Sequence, residues 1–161
     1  KLAYGAQLFA TALTNDSIAD ALADAEFRPV YIALAQQTLS VAQALDITPE
    51  AFNGFDPHAF APGVDPAVSL RSLDEMVIFN RGSAKTHSGI WRDLAIRKRR
   101  TEVDAQLGPI VSMGAQAGVP TPLIARLIEL IHAIEAGEAP QDRARLVELK
   151  AVLDQGRADA S

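Results

Sequence analysis

The sequence predicts an all-α domain, a bundle of helices packed on helices. Three observations lead there. Alanine and leucine dominate a chain in which 48% of residues are apolar and only 6% aromatic, a composition that favours helices over sheets. Runs of alternating β-branched residues, the mark of half-buried strands, are scarce. Apolar residues instead recur at helical spacing in segments broken by Gly, Pro, Asn and Asp. At 161 residues the chain fits one domain and is long enough to bury a sizeable core.

The elements follow in order. Residues 1–13 read as a helix with Leu2, Leu8, Phe9 and Leu13 available for burial. Thr14-Asn15-Asp16 is a break and an N-cap cluster before the short helix of "SIADALADA". Pro29 sits where a first helical turn tolerates it. Val30, Leu34, Val41 and Leu45 then share one face of a long amphipathic helix. "DITPEAF" closes that helix, and residues 53–66, with three prolines and two glycines, form an irregular connection. It is apolar enough to lie against the body of the domain. Asp65-Pro66 opens a helix to about Phe79, and "NRGSAKTHSG" is the second loop. Further helices are predicted at about 89–99, 102–117, 122–136 and 141–155. Gly118 and Gly137 fall where helix C-caps belong, Pro109 should kink the 102–117 helix, and the final "GRADAS" should fray.

Two apolar faces are wide. Val103, Leu107, Ile110, Val111 and Gly114 form one. Leu123, Ile124, Leu127, Ile128, Leu130, Ile131 and Ile134 form another, broad enough to bury on two sides. The second face belongs in the centre of a bundle, with a domain interface or a homodimer as the alternative.

Composition excludes several classes of function. There is no cysteine, so neither disulfides nor thiolate metal sites can form, and a reducing cytoplasm suits the chain. No apolar run approaches the roughly 18–20 residues of a membrane span. The chain does not begin with Met, which suggests a piece of a longer protein, and "KLAYGAQLFATAL" reads as a first helix rather than a targeting segment. His58, His87 and His132 have no metal-ligand spacing, so no metal site is expected; His132, at the edge of an apolar face, should be hydrogen-bonded and partly buried. Neither a GxSxG nucleophile motif nor a GxGxxG or GxxxxGK phosphate loop is present.

"RKRRTEVD" (residues 97–104) stands out. The net charge is −5, yet five of fifteen basic residues fall between Arg92 and Arg100. A short basic run on an acidic domain with few aromatics is weak support for nucleic-acid binding. Cations at the end of the 89–99 helix complement its dipole, which is the simpler reading. Thr101 then caps the next helix, with Asp104 completing a weak capping box. Glu102 is left over: a first-turn carboxylate beside a basic run, able to hold a ligand hydroxyl.

Residues 85–131 resemble the C-terminal domain of ketopantoate reductases (2-dehydropantoate 2-reductases). The likeness rests on Ser88, Asp93, Thr101-Glu102-Val103-Asp104, Gly108 and Gly118-Val119-Pro120-Thr121-Pro122, in the family's order. The opening "KLAYGAQLFATAL" resembles the start of the family's second domain, which places the family's proton-donating lysine at Lys1. There are departures. The asparagines that hold substrate four and eight positions after that lysine are replaced by Gly5 and Phe9. The segment from Asp93 to Glu102 is one residue longer than usual, so Ser88 and Gly89 compete for the substrate-binding serine position.

The resemblance implies that residues 1–161 are one helical substrate-binding and catalytic domain of the 6-phosphogluconate dehydrogenase C-terminal type. An N-terminal Rossmann domain, ending just before Lys1, would hold most of the NADPH, and the site would lie in the cleft between the two. Hydride transfer to a 2-oxo acid builds negative charge on the carbonyl oxygen. Lys1 would stabilise that charge and donate a proton. Glu102 would orient Lys1 or hold a hydroxyl of product or cofactor, and Ser88 would hold the substrate carboxylate. The function expected is an NADPH-dependent 2-oxo acid reductase. The alternative is a non-catalytic interaction domain working through the 123–134 face.

Overall fold

A computed structural model describes all 161 residues and contains helices but no strands. The helices are α1 (Leu2–Thr11), α2 (Ile18–Ala23), α3 (Arg28–Ala44), α4 (Pro66–Arg81), α5 (Gly89–Arg92), α6 (Val103–Ala117), α7 (Pro122–Glu135) and α8 (Arg143–Asp159). α3 runs through the centre, against α1, α6, α7, α8 and a short 3₁₀ turn at Pro57–Phe60, while α2 packs on α4. One core joins all of them, with Phe9, Leu22, Phe27, Tyr31, Leu34, Phe60, Leu107 and Ile124 fully buried. No helix is long and apolar enough to cross a membrane.

Local chemistry explains the helix starts. Ser17, not the Thr14–Asp16 cluster, caps α2: its hydroxyl accepts the Asp20 amide at 3.1 Å. Asp65 caps α4 by accepting the Ala67 amide at 2.8 Å, and Pro66 fills the first helical position. The 53–66 connection lies against the body as expected, with Phe55 and Phe60 buried and their rings stacked at 5.2 Å. Asn53-Gly54, both at positive φ, turn the chain so that Phe52 and Phe55 exchange backbone hydrogen bonds at 3.0 and 2.8 Å.

Several expectations need correction. Leu2 and Leu45 lie at helix ends and are exposed rather than buried. The predicted 89–99 helix keeps α geometry only to Arg92; Asp93–Arg97 form a π-helical turn, and Lys98 turns left-handed at φ 51°. A π turn is wider by one residue than an α turn. The terminal "GRADAS" is helical as far as Asp159 rather than frayed, held by links one turn apart from Lys150 to Asp154 and from Gln155 to Asp159.

The broad face of α7 is core. Leu123, Ile124, Leu127, Leu130 and Ile131 are buried, and Ile128 and Ile134 pack against them. α6 lies along one side of α7 and α8 along the other, so this face is covered within the chain itself.

Candidate active site

A cleft of about 930 Å³ opens between the start of α1, the end of α4, α5 and the start of α6. Lys1, Ser88 and Glu102, more than a dozen residues apart in sequence, all line it. The fold brings them together because α1 lies against both α5 and α6.

Each is placed by its own element. Lys1 is the residue before α1; its carbonyl accepts the Gly5 amide at 2.8 Å, and its Nζ lies 5.7 Å from the centre of the Phe52 ring. Ser88 caps α5, its hydroxyl oxygen accepting the Trp91 amide at 3.1 Å. The side chain is buried, and its O–H hydrogen has no protein acceptor, so it can donate to a ligand. Gly89 borders the cleft beside it. Glu102 occupies the cap position of α6 with an exposed side chain. Its partner is Gln106, whose Nε2 donates to Glu102 Oε2 at 2.9 Å. Lys1 and Glu102 share the cleft without forming an ion pair.

The surroundings are built from "RKRRTEVD". Thr101 lies one residue before the cap position expected of it, which Glu102 takes, but its hydroxyl still accepts the Val103 amide at 3.2 Å. Its own amide and hydroxyl donate to Glu135 Oε1 at 2.8 and 2.7 Å. Asp104 does not complete a capping box. A carbon shorter than the usual glutamate, it turns outward to meet His132 Nε2 at 2.8 Å. The basic run does more than serve a helix end: Arg97 and Arg99 both donate to Asp93 Oδ1 at 2.9 Å. Partial burial works to raise the pKa of Asp93, but these hydrogen bonds and the two positive charges outweigh it and hold the carboxyl below its ordinary range. His58 is exposed and His87 lies against Trp91 with ring centres 4.1 Å apart.

Other residues of the cleft were not singled out by sequence reasoning. Tyr4 packs between Phe52 and Phe55 at 5.8 and 5.7 Å. Burial pushes its phenol pKa up, and the Asn80 carboxamide beside it acts in the other direction. Asn53, Asn80 and Gln106 bring carboxamides to the lining. α1 brings none: Gly5 has no side chain and Phe9 is fully buried. Gln106 had a signal in its position one helical turn after Glu102; Asn53 and Asn80 had none.

The charge of the cleft opposes that of the chain. Lys1, Lys85, Arg99 and Arg100 line it against only Asp93 and Glu102, on a protein of net charge −5. Arg99 is engaged by Asp93, and Arg100 stands 4.0 Å from Glu135, whereas Lys1 and Lys85 meet no carboxylate. Such a cleft attracts anions. A second, largely apolar hollow of about 600 Å³ shares Lys1 and Phe52 with it and runs between α1, the end of α3 and α6.

The family model for the ketopantoate reductase PanE/ApbA C-terminal domain matches residues 6–135. Ser88 and Glu102 fall within that span; Lys1 and α8 lie outside it. Searches of curated proteins and of solved structures give no match. The matched span holds α2 to α7 whole and the second half of α1, together with most of the cleft, and the chain belongs to the ketopantoate reductase PanE/ApbA C-terminal domain family.

Proposed function

We propose that this chain is the substrate-binding and catalytic half of an NADPH-dependent 2-oxo acid reductase, similar to the enzyme that reduces 2-dehydropantoate. One observation carries the reading: in a domain of this family, Lys1, Ser88 and Glu102 line a single positively charged cleft. The cleft also suits a cofactor. It is larger than a small 2-oxo acid needs, and Lys85 and Arg100 suit phosphate groups. Glu102 can accept from a cofactor hydroxyl or amide. A preceding Rossmann domain would hold the remainder. NADPH, when bound, supplies the hydride.

The chain's own residues do the rest. The Ser88 hydroxyl donates to the substrate carboxylate. The Lys1 ammonium stands by the carbonyl oxygen, stabilises the charge that grows there as the C=O π pair moves onto oxygen, and gives up a proton to it. The product is the 2-hydroxy acid. Glu102 accepts from a hydroxyl of product or cofactor. An interaction domain working through residues 123–134 has less support, because that face is buried within the chain.

The test is NADPH oxidation that depends on an added 2-oxo acid, in the protein carrying this domain. Lys1→Ala should lower kcat by about 100-fold or more. Full turnover in that variant would remove Lys1 from the mechanism.

A further inference from the structure

We infer that Gln106 is a positioning and specificity residue of the cleft: one end of its carboxamide fixes Glu102, and the other fills the space over Gly5 and reads the substituent of a bound acid. The specificity clause rests on the reductase reading; the fixing of Glu102 does not.

Gln106 follows Glu102 by four residues, so the two side chains lie one above the other on α6. The 2.9 Å bond from Gln106 Nε2 is the hydrogen bond the protein offers to the Glu102 carboxylate. Glu102 is exposed at a helix end, where its long side chain would otherwise sample several rotamers. A charge-assisted bond selects one of them.

The orientation of the carboxamide is settled by chemistry. An ionised carboxylate only accepts, so the NH₂ end must face Glu102 and the oxygen must point the other way. That oxygen lies over α1: a Cβ built on Gly5 would stand 3.6 Å from Gln106 Oε1. Glycine is a poor choice inside a helix, but here it leaves the room that Gln106 occupies. A single methyl at position 5 fits at van der Waals distance; a longer side chain must displace the carboxamide. Gln106 Oε1 has no protein donor and borders the cleft. It is an acceptor awaiting an O–H or N–H on the ligand.

The experiment compares two acids of similar size, 4-hydroxy-2-oxobutanoate and 2-oxopentanoate, by their kcat/KM in the NADPH-linked assay. The unmodified protein should prefer the hydroxylated acid. Gln106→Met should reduce that preference about tenfold, whereas a purely structural loss would lower both rates alike. Gly5→Leu should give the same phenotype, and the double variant should be no worse than either. An unchanged preference in Gln106→Met, or losses that add in the double variant, overturn the inference. NMR of the Gln106 side-chain amide supplies a readout without turnover. It should be ordered in the unmodified protein and in Gly5→Ala, and mobile in Gly5→Leu. If the unmodified protein reduces neither acid, the reductase reading fails, and the amide signal alone decides: a mobile Gln106 in the unmodified protein overturns the fixing of Glu102, and an ordered one upholds it.

Discussion

Asp93 holds two arginines on one carboxylate oxygen, with its side chain largely buried beneath them. Its depressed pKa makes a pH-dependent contribution to stability. A carboxyl whose pKa is lower folded than unfolded stabilises the protein above its unfolded value, about 4, and that contribution disappears as pH falls through the folded value. Asp93→Asn should therefore lower Tm at pH 7 by roughly 2 °C, the arginines being half in solvent. The gap from the unmodified protein should close by about pH 3. Melting curves at both pH values check this; an equal gap at both would mean that shape rather than charge explains the loss. At this scale the sequence was partly legible. Thr101 announced itself, because helix starts demand particular residue types. Glu135, which accepts from both the amide and the hydroxyl of Thr101, lies 34 residues away, and nothing local in the sequence encodes that meeting.

The helices themselves were legible wherever breakers bound them. α4 begins at Asp65-Pro66 and α7 at Thr121-Pro122, as those residues require. α6 ends at Gly118, whose φ of 71° lets the Val119 amide reach the Gly114 carbonyl at 2.8 Å. Gly114 has a second task. A Cβ there would meet the Val119 carbonyl oxygen at 2.7 Å, with Thr121 and Val41 also close. Gly114→Ala should thus cost about 1–3 kcal/mol despite the better helix propensity of alanine. Chemical denaturation would show it as a lower midpoint with an unchanged slope; a gain in stability would mean that the α6–α7 corner gives way freely. The π-helical turn at Asp93–Arg97 was illegible for a different reason. Its residues suit an ordinary helix, and what departs from one is the wrapping of Arg97 and Arg99 around Asp93. The persistence of α8 to Asp159 was missed because side-chain links along its last turns outweigh the terminal glycine and small residues.

At the scale of the whole molecule, the core continues past the matched family span. Leu146 and Leu149 of α8 are buried against α7, and Arg143 pins the start of α8 to Asp24 and Glu26 while lying 4.5 Å over the Phe27 ring. Leu149→Ala should cost about 2–5 kcal/mol. It should shift the unfolding curves from far-UV circular dichroism and from Trp91 emission together, as one cooperative unit requires. Separate transitions would show α8 to be an appendage. The fold class was readable because Ala and Leu at helical spacing admit few other solutions, and the three proposed site residues could be named before the cleft was seen. The shape of the cleft could not, since it comes from loops meeting across the bundle. One part of that shape has a practical consequence. Phe52 belongs to both hollows, the charged one and the apolar one. The partition between a wet chamber and a greasy annex is there a single aromatic ring, held edge-on by Tyr4. A smaller side chain in place of Phe52 would thin that wall and enlarge the room beside Lys1, which borders both hollows, while Ser88 and Glu102 keep their places.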